Sequence, residues 1–352
     1  MNPPASEERS LLAQLQELAH DQCIPLHMSL ELTLRCNIRC THCYNFDRDL
    51  PRQALSPELS FQEIVGLLDA FRQAGTLYLS LTGGEAMVHP RFWDILEEAA
   101  ARRFVITVLS NGTLLTPEAC DRFASVVALA GLSLSIYGAR PETHDAVTRV
   151  PGSFERTWAG ARRLRERGTG VSLKFVFMKE NASEADGMIR RAEEGGFNFS
   201  VDTTITGRYD GTRGSLNTRV DHATLEALYR GPLRGQLTLR KPDPTDDEFK
   251  CNCARGNGAV SSTGEVYPCI STPLRAGNVR EQPFLEIWKN SGVFRKIRGL
   301  RLEDFKTCAP CGLKTWCRRS PGSAVLLHGD YAGVDPWDCQ EAAIIRDIFK
   351  AP

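Results

Sequence analysis

Charge of one sign, long apolar runs and internal repetition are all missing from this chain. Lysine and arginine together number 43 and aspartate and glutamate together 43, a formal net charge of zero. No global field therefore exists to attract nucleic acid or an anionic membrane surface, and short basic runs such as Arg162-Arg-Leu-Arg165 read as the solvated face of a helix. No uninterrupted apolar stretch nears the length that spans a bilayer. The amino terminus, with Glu7, Glu8 and then Leu11-Leu-Ala-Gln-Leu15, lacks the basic-then-apolar order of a secretory signal and reads as a short amphipathic helix. A cytoplasmic address is expected. No repeat of fixed period, low-complexity segment, coiled-coil heptad or long exposed apolar stripe is present, so nothing in the sequence marks an assembly surface.

The 352 residues have room for about two domains, and 42% hydrophobic residues suffice for ordinary packed cores. Twelve cysteines are many for a reducing compartment, which does not support structural disulfides. Ten of them fall into two neighbourhoods, one near residue 40 and one between 251 and 339. Metal is the economical explanation for those ten, and Cys23 and Cys120 are read as ordinary buried thiols.

Cys36, Cys40 and Cys43 follow the apolar run Met28-Ser-Leu-Glu-Leu-Thr-Leu34. The C-x3-C-x2-C spacing lets one short loop offer three thiolates to three irons of a cubane cluster and leaves the fourth iron without a protein ligand. A zinc loop is the competing reading, with His42 as a fourth ligand. That histidine lies between two of the cysteines, and structural zinc sites ordinarily draw their four ligands from two pairs.

From about residue 28 to 205, β-branched apolar runs alternate with longer amphipathic segments. Candidate strands are 28–34, 76–81, 104–109, 131–136, 171–177 and 198–204, and Phe61 to Gln73 reads as a helix with Ser60 as its N-cap. Six such units predict an α/β fold, a partial (β/α)6 barrel, with a doubly wound sheet as the alternative. In a barrel the loops after the strands open on one face. The cysteine loop, Gly83-Gly84-Glu85, Ser110-Asn111-Gly112, Ser135-Ile-Tyr137-Gly138 and Lys179-Glu180-Asn181 all fall there. The predicted divisions are a helical extension over 1–27, the barrel over 28–205, a last barrel segment and linker over 206–250, a small cysteine-rich domain over 251–345, and a tail over 346–352. The cysteine-rich part reads as poor in long helices until about 340, with metal in place of a large core.

Together, the cysteine loop, the glycine-glycine-glutamate after the second strand and the strand order resemble the radical S-adenosylmethionine (SAM) enzymes. The carboxy-terminal cysteines resemble the SPASM extension that many of those enzymes carry, and the likeness covers about residues 28 to 345. It implies that Cys36, Cys40 and Cys43 hold a [4Fe-4S] cluster whose open iron chelates SAM. One electron then releases a 5′-deoxyadenosyl radical that takes hydrogen from a substrate. It implies cofactor contacts as well: Gly83 and Gly84 where backbone approaches the methionine end of SAM, Glu85 toward its ammonium, Ser110 and Asn111 toward ribose, Ser135 and Arg149 toward the carboxylate, and His42 and Tyr44 near adenine.

The same likeness assigns Cys308, Cys311, Cys317 and Cys339 to one auxiliary cluster, for which a zinc ribbon is the alternative. Cys251, Cys253 and Cys269 go to another. The fourth ligand of that second site is expected where this chain has Pro321, so one or two auxiliary iron–sulfur clusters are expected. Enzymes with this extension mostly modify peptides, which predicts a maturase of a ribosomally made peptide (a RiPP) that cross-links, oxidises or epimerises it. About 27 residues before the first strand are too few for a winged-helix recognition domain, so a separate leader-peptide-binding protein is an expected partner, and a flavodoxin or ferredoxin the electron donor. Asp202, Arg208, Tyr209 and Asp210 are expected to face the cavity, with Asp202 or Asp210 as a proton acceptor of raised pKa. The alternatives are a capping role and an Asp-Gly turn. A sulfatase-type maturase or a tetrapyrrole-modifying relative is the second enzyme reading, and an iron–sulfur electron carrier the non-enzymatic one.

Overall fold

Six parallel strands and the helices that follow them account for most of the first 230 residues of the computed structural model, which describes residues 10–47, 49, 57–237 and 251–350. The strands are β1 (His27–Thr33), β2 (Tyr78–Gly83), β3 (Val105–Ser110), β4 (Leu129–Ile136), β5 (Val171–Val176) and β6 (Asn198–Asp202). The helices are α1 (Leu11–Asp21), α2 (Phe61–Ala74), α3 (Phe92–Ala101), α4 (Pro117–Ala124), α5 (Pro141–Thr148), α6 (Ser153–Glu166), α7 (Ala185–Glu194) and α8 (His222–Arg230). The barrel-type alternation expected from the sequence is thus present, with each predicted strand displaced by at most two residues at its ends.

Local chemistry sets the boundaries. Ser60 and Glu63 close a capping box at the start of α2, Ser60 N donating to Glu63 Oε2 at 2.7 Å, and Gly75 ends the helix in the left-handed region at φ 93°. Period-two alternation then sorts the sheet. Met28, Leu30 and Leu32 of β1, Leu79 and Leu81 of β2, Ile106 and Val108 of β3 and Leu134 and Ile136 of β4 are fully buried against the helices. The intervening positions Ser29, Glu31, Thr33, Ser80, Thr82, Ser133, Ser135, Lys174 and Asp202 fall on the opposite, largely polar face.

The carboxy-terminal third departs from expectation. Strands β7 (Asn257–Val260), β8 (Glu265–Tyr267) and β9 (Gly277–Asn278) continue the barrel sheet, giving the order β6-β5-β4-β3-β2-β1-β7-β8-β9. β7 runs parallel to β1, Leu30 standing opposite both Leu81 and Val260, and β8 and β9 are antiparallel additions. Hydrogen-bonded strand pairs therefore cross the predicted boundary before residue 251.

The same region holds helices α9 (Phe284–Asn290), α10 (Gly292–Gly299), α11 (Pro321–His328) and α12 (Pro336–Lys350). Their buried side chains join the core of the barrel. Phe284 packs on Phe71 of α2 with ring centroids 4.9 Å apart, Trp288 meets Phe294 at 5.1 Å, and the Trp288 indole donates to Cys23 O at 2.6 Å. The predicted tail from 346 is the last turn of α12, whose Trp337, Ile344, Ile345 and Ile348 are buried. The acidic, proline-bearing linker at 241–250 lies outside the described residues. Among the described residues no helix is long and apolar enough to cross a membrane.

Candidate active site

The loop after β1 is held from three directions, two by backbone and one by a side chain. Gly84 N donates to Thr33 O at 2.7 Å and Glu85 N to Arg35 O at 2.9 Å. A Cβ on Gly83 would stand 2.2 Å from Thr33 O, and one on Gly84 2.4 Å from Arg35 O. The glycine pair thus lets the end of β2 lie flush against the cysteine loop. From the side of α5, Arg39 N donates to Thr148 O at 2.9 Å and Thr41 N to Val147 O at 3.0 Å. From beyond β6 comes buried Arg208, whose Nε donates to Cys43 O at 3.1 Å and Nη2 to Thr41 O at 3.3 Å, while Nη1 pairs with Asp47 at 2.8 Å.

So fixed, Cys36, Cys40 and Cys43 line a cavity of about 160 Å³ together with Gly83, Gly84, Ser135 and Tyr137 on the polar face of the sheet. Three thiols on one rigid loop beside an open cavity fit a cluster held at three corners with its fourth iron accessible. Among the described residues no three His, Cys, Asp or Glu side chains gather round a single-ion position; thiolates of a cluster bind separate irons and stand farther apart.

The other expected contacts divide. Ser110, Asn111, Ser135, His42 and Tyr44 line the cavity with the glycines. His42 packs edge-on against Tyr137 at 4.7 Å, and burial, with Arg208 adding to it, lowers its imidazole pKa to about 4, so the ring is neutral. Tyr44 meets Tyr209 edge-on at 5.3 Å. Glu85 lies outside the cavity lining. It is buried and accepts from Ser110 Oγ at 3.0 and 3.1 Å, Asn111 N at 2.8 Å and Met87 N at 3.2 Å, which ties the β3 loop to the β2 loop. Asn111 in turn donates to Asn37 Oδ1 at 2.9 Å.

Arg149 also lies outside the lining. It caps α5 in the left-handed region, φ 57°, and its guanidinium pairs with Asp49 at 2.5 Å. Tyr137, which sequence reasoning quoted only within a motif, is a wall of the site; its phenol is buried and pushed well up, first by burial and then by Cys40.

The candidate proton acceptors fare differently from expectation. Asp210 is held below the usual carboxylate range despite burial, because Thr212 Oγ1, Asp47 N and Thr212 N donate to it, so it is a loop pin and not a base of raised pKa. Asp202 pairs with Lys174 at 3.2 Å and accepts from Thr204 N at 2.9 Å, a local turn at the end of β6 where no helix begins.

On the polar face of the sheet, a carboxyl of raised pKa is Glu31 of β1. It is 2% exposed, its Oε1 has no hydrogen-bond partner, and burial raises its pKa to about 7. Tyr209 and Tyr267 both feel its charge, and Tyr209 Oη is likewise buried without a partner. The signal was legible: a glutamate at a polar-face position inside an otherwise apolar strand.

Two further cysteine groups stand on the carboxy-terminal third. Cys253 Sγ lies 3.2 Å from Cys251 Sγ, Cys269 contacts Cys253, and Cys269 Sγ is 3.3 Å from Thr272 Oγ1. Pro321, at the first turn of α11, is buried beside them: a Cβ on Gly322 would meet Ser271 O at 1.9 Å. Burial pushes the Cys339 thiol up, with Cys308 and Cys311 as its next contributors, so α12 brings its cysteine to the 308–311 turn. Cys317 follows the short 3-10 turn Lys314–Trp316.

Residues 30–192 match the Radical SAM superfamily and residues 251–312 an iron-sulfur cluster-binding domain designated SPASM. The chain is 31% identical over 340 residues to an AdoMet-dependent heme synthase of Methanosarcina barkeri, covering 89% of this chain and 96% of that protein. It is 27% identical over 352 residues to the mycofactocin maturase MftC of Mycobacterium tuberculosis, covering 92% and 86%. Among solved structures, Streptococcus suis SuiB bound to its precursor peptide SuiA has the same fold, with a TM-score of 0.68 at 16% identity over 97% of this chain and 83% of that one.

Proposed function

The chain belongs to the radical SAM superfamily, and from that premise we propose that it matures a ribosomally made peptide by hydrogen abstraction. When bound, the cluster and SAM supply a 5′-deoxyadenosyl radical. The residues of this chain do the rest. Gly83 and Gly84 shape the cradle, Ser110, Asn111 and Ser135 offer hydrogen bonds within it, and His42 and Tyr137 wall it against water, while Glu31, outside that lining on the polar face of the same sheet, is a carboxyl that titrates near neutrality.

The observation that carries this reading is one three-thiol loop opening onto a polar sheet face, with a second cysteine group beside β7 and a third brought together by α12. Small hydroxyl side chains on that face suit the amide backbone of a peptide, and the maturase relative and the peptide-bound SuiB fold support it. A separate leader-binding protein and a flavodoxin or ferredoxin donor belong to the proposal, as does a cytoplasmic setting.

The heme synthase relative favours a second reading, a tetrapyrrole substrate. The test is anaerobic incubation of the reconstituted, reduced protein with SAM and either peptides encoded beside its gene or a haem precursor. Formation of 5′-deoxyadenosine coupled to a mass change in the peptide supports the first reading; coupling to the tetrapyrrole alone replaces it with the second.

A further inference from the structure

The three-cysteine group of Cys251, Cys253 and Cys269 lacks a fourth thiol, because the position that would supply one is Pro321, which has no donor of any kind to offer. What the fold does bring there is Tyr331, in the connection between α11 and α12. Its side chain is 6% exposed and its hydroxyl is buried with no hydrogen-bond partner. Tyr331 and Cys253 belong to one packed core, with Cys251 and Cys269 against it, and burial pushes the phenol up, followed by the influence of Cys253, Cys251 and Cys269 in that order. Arg319 faces it from the other side, its guanidinium 5.9 Å from the ring centroid.

The backbone that carries the ring is pinned. Arg319, itself buried, donates to Tyr331 O and, at 3.0 Å, to Gly333 O, and its guanidinium also lies 4.9 Å from the ring centroid of Phe305. A buried phenol without an acceptor forfeits the hydrogen bond it made to water, and such groups are seldom left that way. Thiolates and sulfides of an iron–sulfur cluster are acceptors, and hydrogen bonds to those sulfurs are among the levers that set its potential.

We propose that the Tyr331 hydroxyl donates a hydrogen bond to the cluster held by Cys251, Cys253 and Cys269. Tyr331 is a positioning residue for that centre, and the inference rests on family membership and not on which substrate the enzyme takes. Donation to sulfur favours the reduced, more negative form, so the hydroxyl holds the potential higher than the three thiolates alone would.

The test uses full-length protein carrying Cys36→Ala, Cys40→Ala and Cys43→Ala, reconstituted anaerobically, so that only auxiliary centres contribute. Adding Tyr331→Phe is expected to leave iron per chain unchanged, move one midpoint potential to a more negative value, and remove an exchangeable-deuteron coupling from the reduced centre's electron–nuclear resonance spectrum after transfer to D2O. That coupling is measurable in the tyrosine-bearing protein as well, so the test does not depend on how the variant folds. An unchanged potential and coupling in Tyr331→Phe overturns the proposal. So does unaltered iron content when Cys253→Ala is added, which would mean that no cluster forms at this group. Neither result touches the peptide reading, which is decided by product mass.

Discussion

Arg208 reaches back from the segment after β6 to donate its Nε to the main-chain oxygen of Cys43 at 3.1 Å. Residues 165 positions apart in sequence thereby fix one another, and the cysteine loop takes its rigidity from the far end of the barrel. Arg208→Ala strands two loop carbonyls, each worth about 1–3 kcal/mol when left unpaired. Iron should pass to a chelator about tenfold faster or more, since about 1.4 kcal/mol is a factor of ten. Arg208→Lys keeps the charge but not the fork and should fall between the two. Equal release rates in all three proteins would show that the contact does not hold the loop.

Glu85, expected at the ammonium of SAM, accepts from Ser110, Asn111 and Met87 and so ties the β3 loop to the β2 loop. Glu85→Gln replaces one acceptor oxygen by an amide donor, which faces N–H or O–H groups that also donate. SAM binding should weaken roughly tenfold, the equivalent of one lost hydrogen bond, while cluster iron stays the same. Equilibrium binding on the reconstituted protein measures the first and a colorimetric iron assay the second.

Gly84→Ala tests the cradle. The added Cβ would meet Arg35 O at 2.4 Å and Leu34 O at 2.7 Å, backbone atoms that cannot rotate aside. A loss on the order of 3 kcal/mol of stability is expected, together with loss of the radical-SAM cluster. Gly66→Ala is the control, because a Cβ there meets nothing within 4 Å and the residue is inside α2; its stability should hold or rise slightly. Thermal unfolding of both variants, with iron content, separates a crowded cradle from a general intolerance of alanine.

What was legible in the sequence was whatever rests on period and spacing. β1 to β6 announce themselves by runs of buried residues such as Leu132, Leu134 and Ile136, and the rim loops follow from strand ends. β7 to β9 do not, because strands of two to four residues, one of them Asn257-Gly-Ala-Val260, carry too few side chains to show alternation. α11 was hidden by Pro321 and Gly322, which read as turn residues but here occupy a helix's first turn. Side-chain direction was least legible. Nothing in the local sequence says that Arg149 adopts a left-handed cap and turns to Asp49, or that Asp210 collects donors from Thr212 and from Asp47, 163 residues away.

Glu31 gives the pH dependence a sign. Its ordinary pKa of 4.5 rises to about 7 in the folded chain because burial penalises the charged form. The fold therefore binds the proton more tightly than the unfolded chain does, and the resulting stability is fully present below about pH 4.5. It is lost as pH rises through about 7, by on the order of 3 kcal/mol in all. Glu31→Gln keeps the shape and removes the titration, so its stability relative to the unaltered protein should improve by about that amount between pH 4.5 and pH 8. Urea unfolding of the two proteins across this range reads the difference directly. Parallel pH curves would mean that Glu31 finds compensation for its charge. A converging pair below pH 5 and a diverging pair above pH 7 would show that the Glu31 carboxyl titrates near neutral pH, where its ionised fraction can take up a proton.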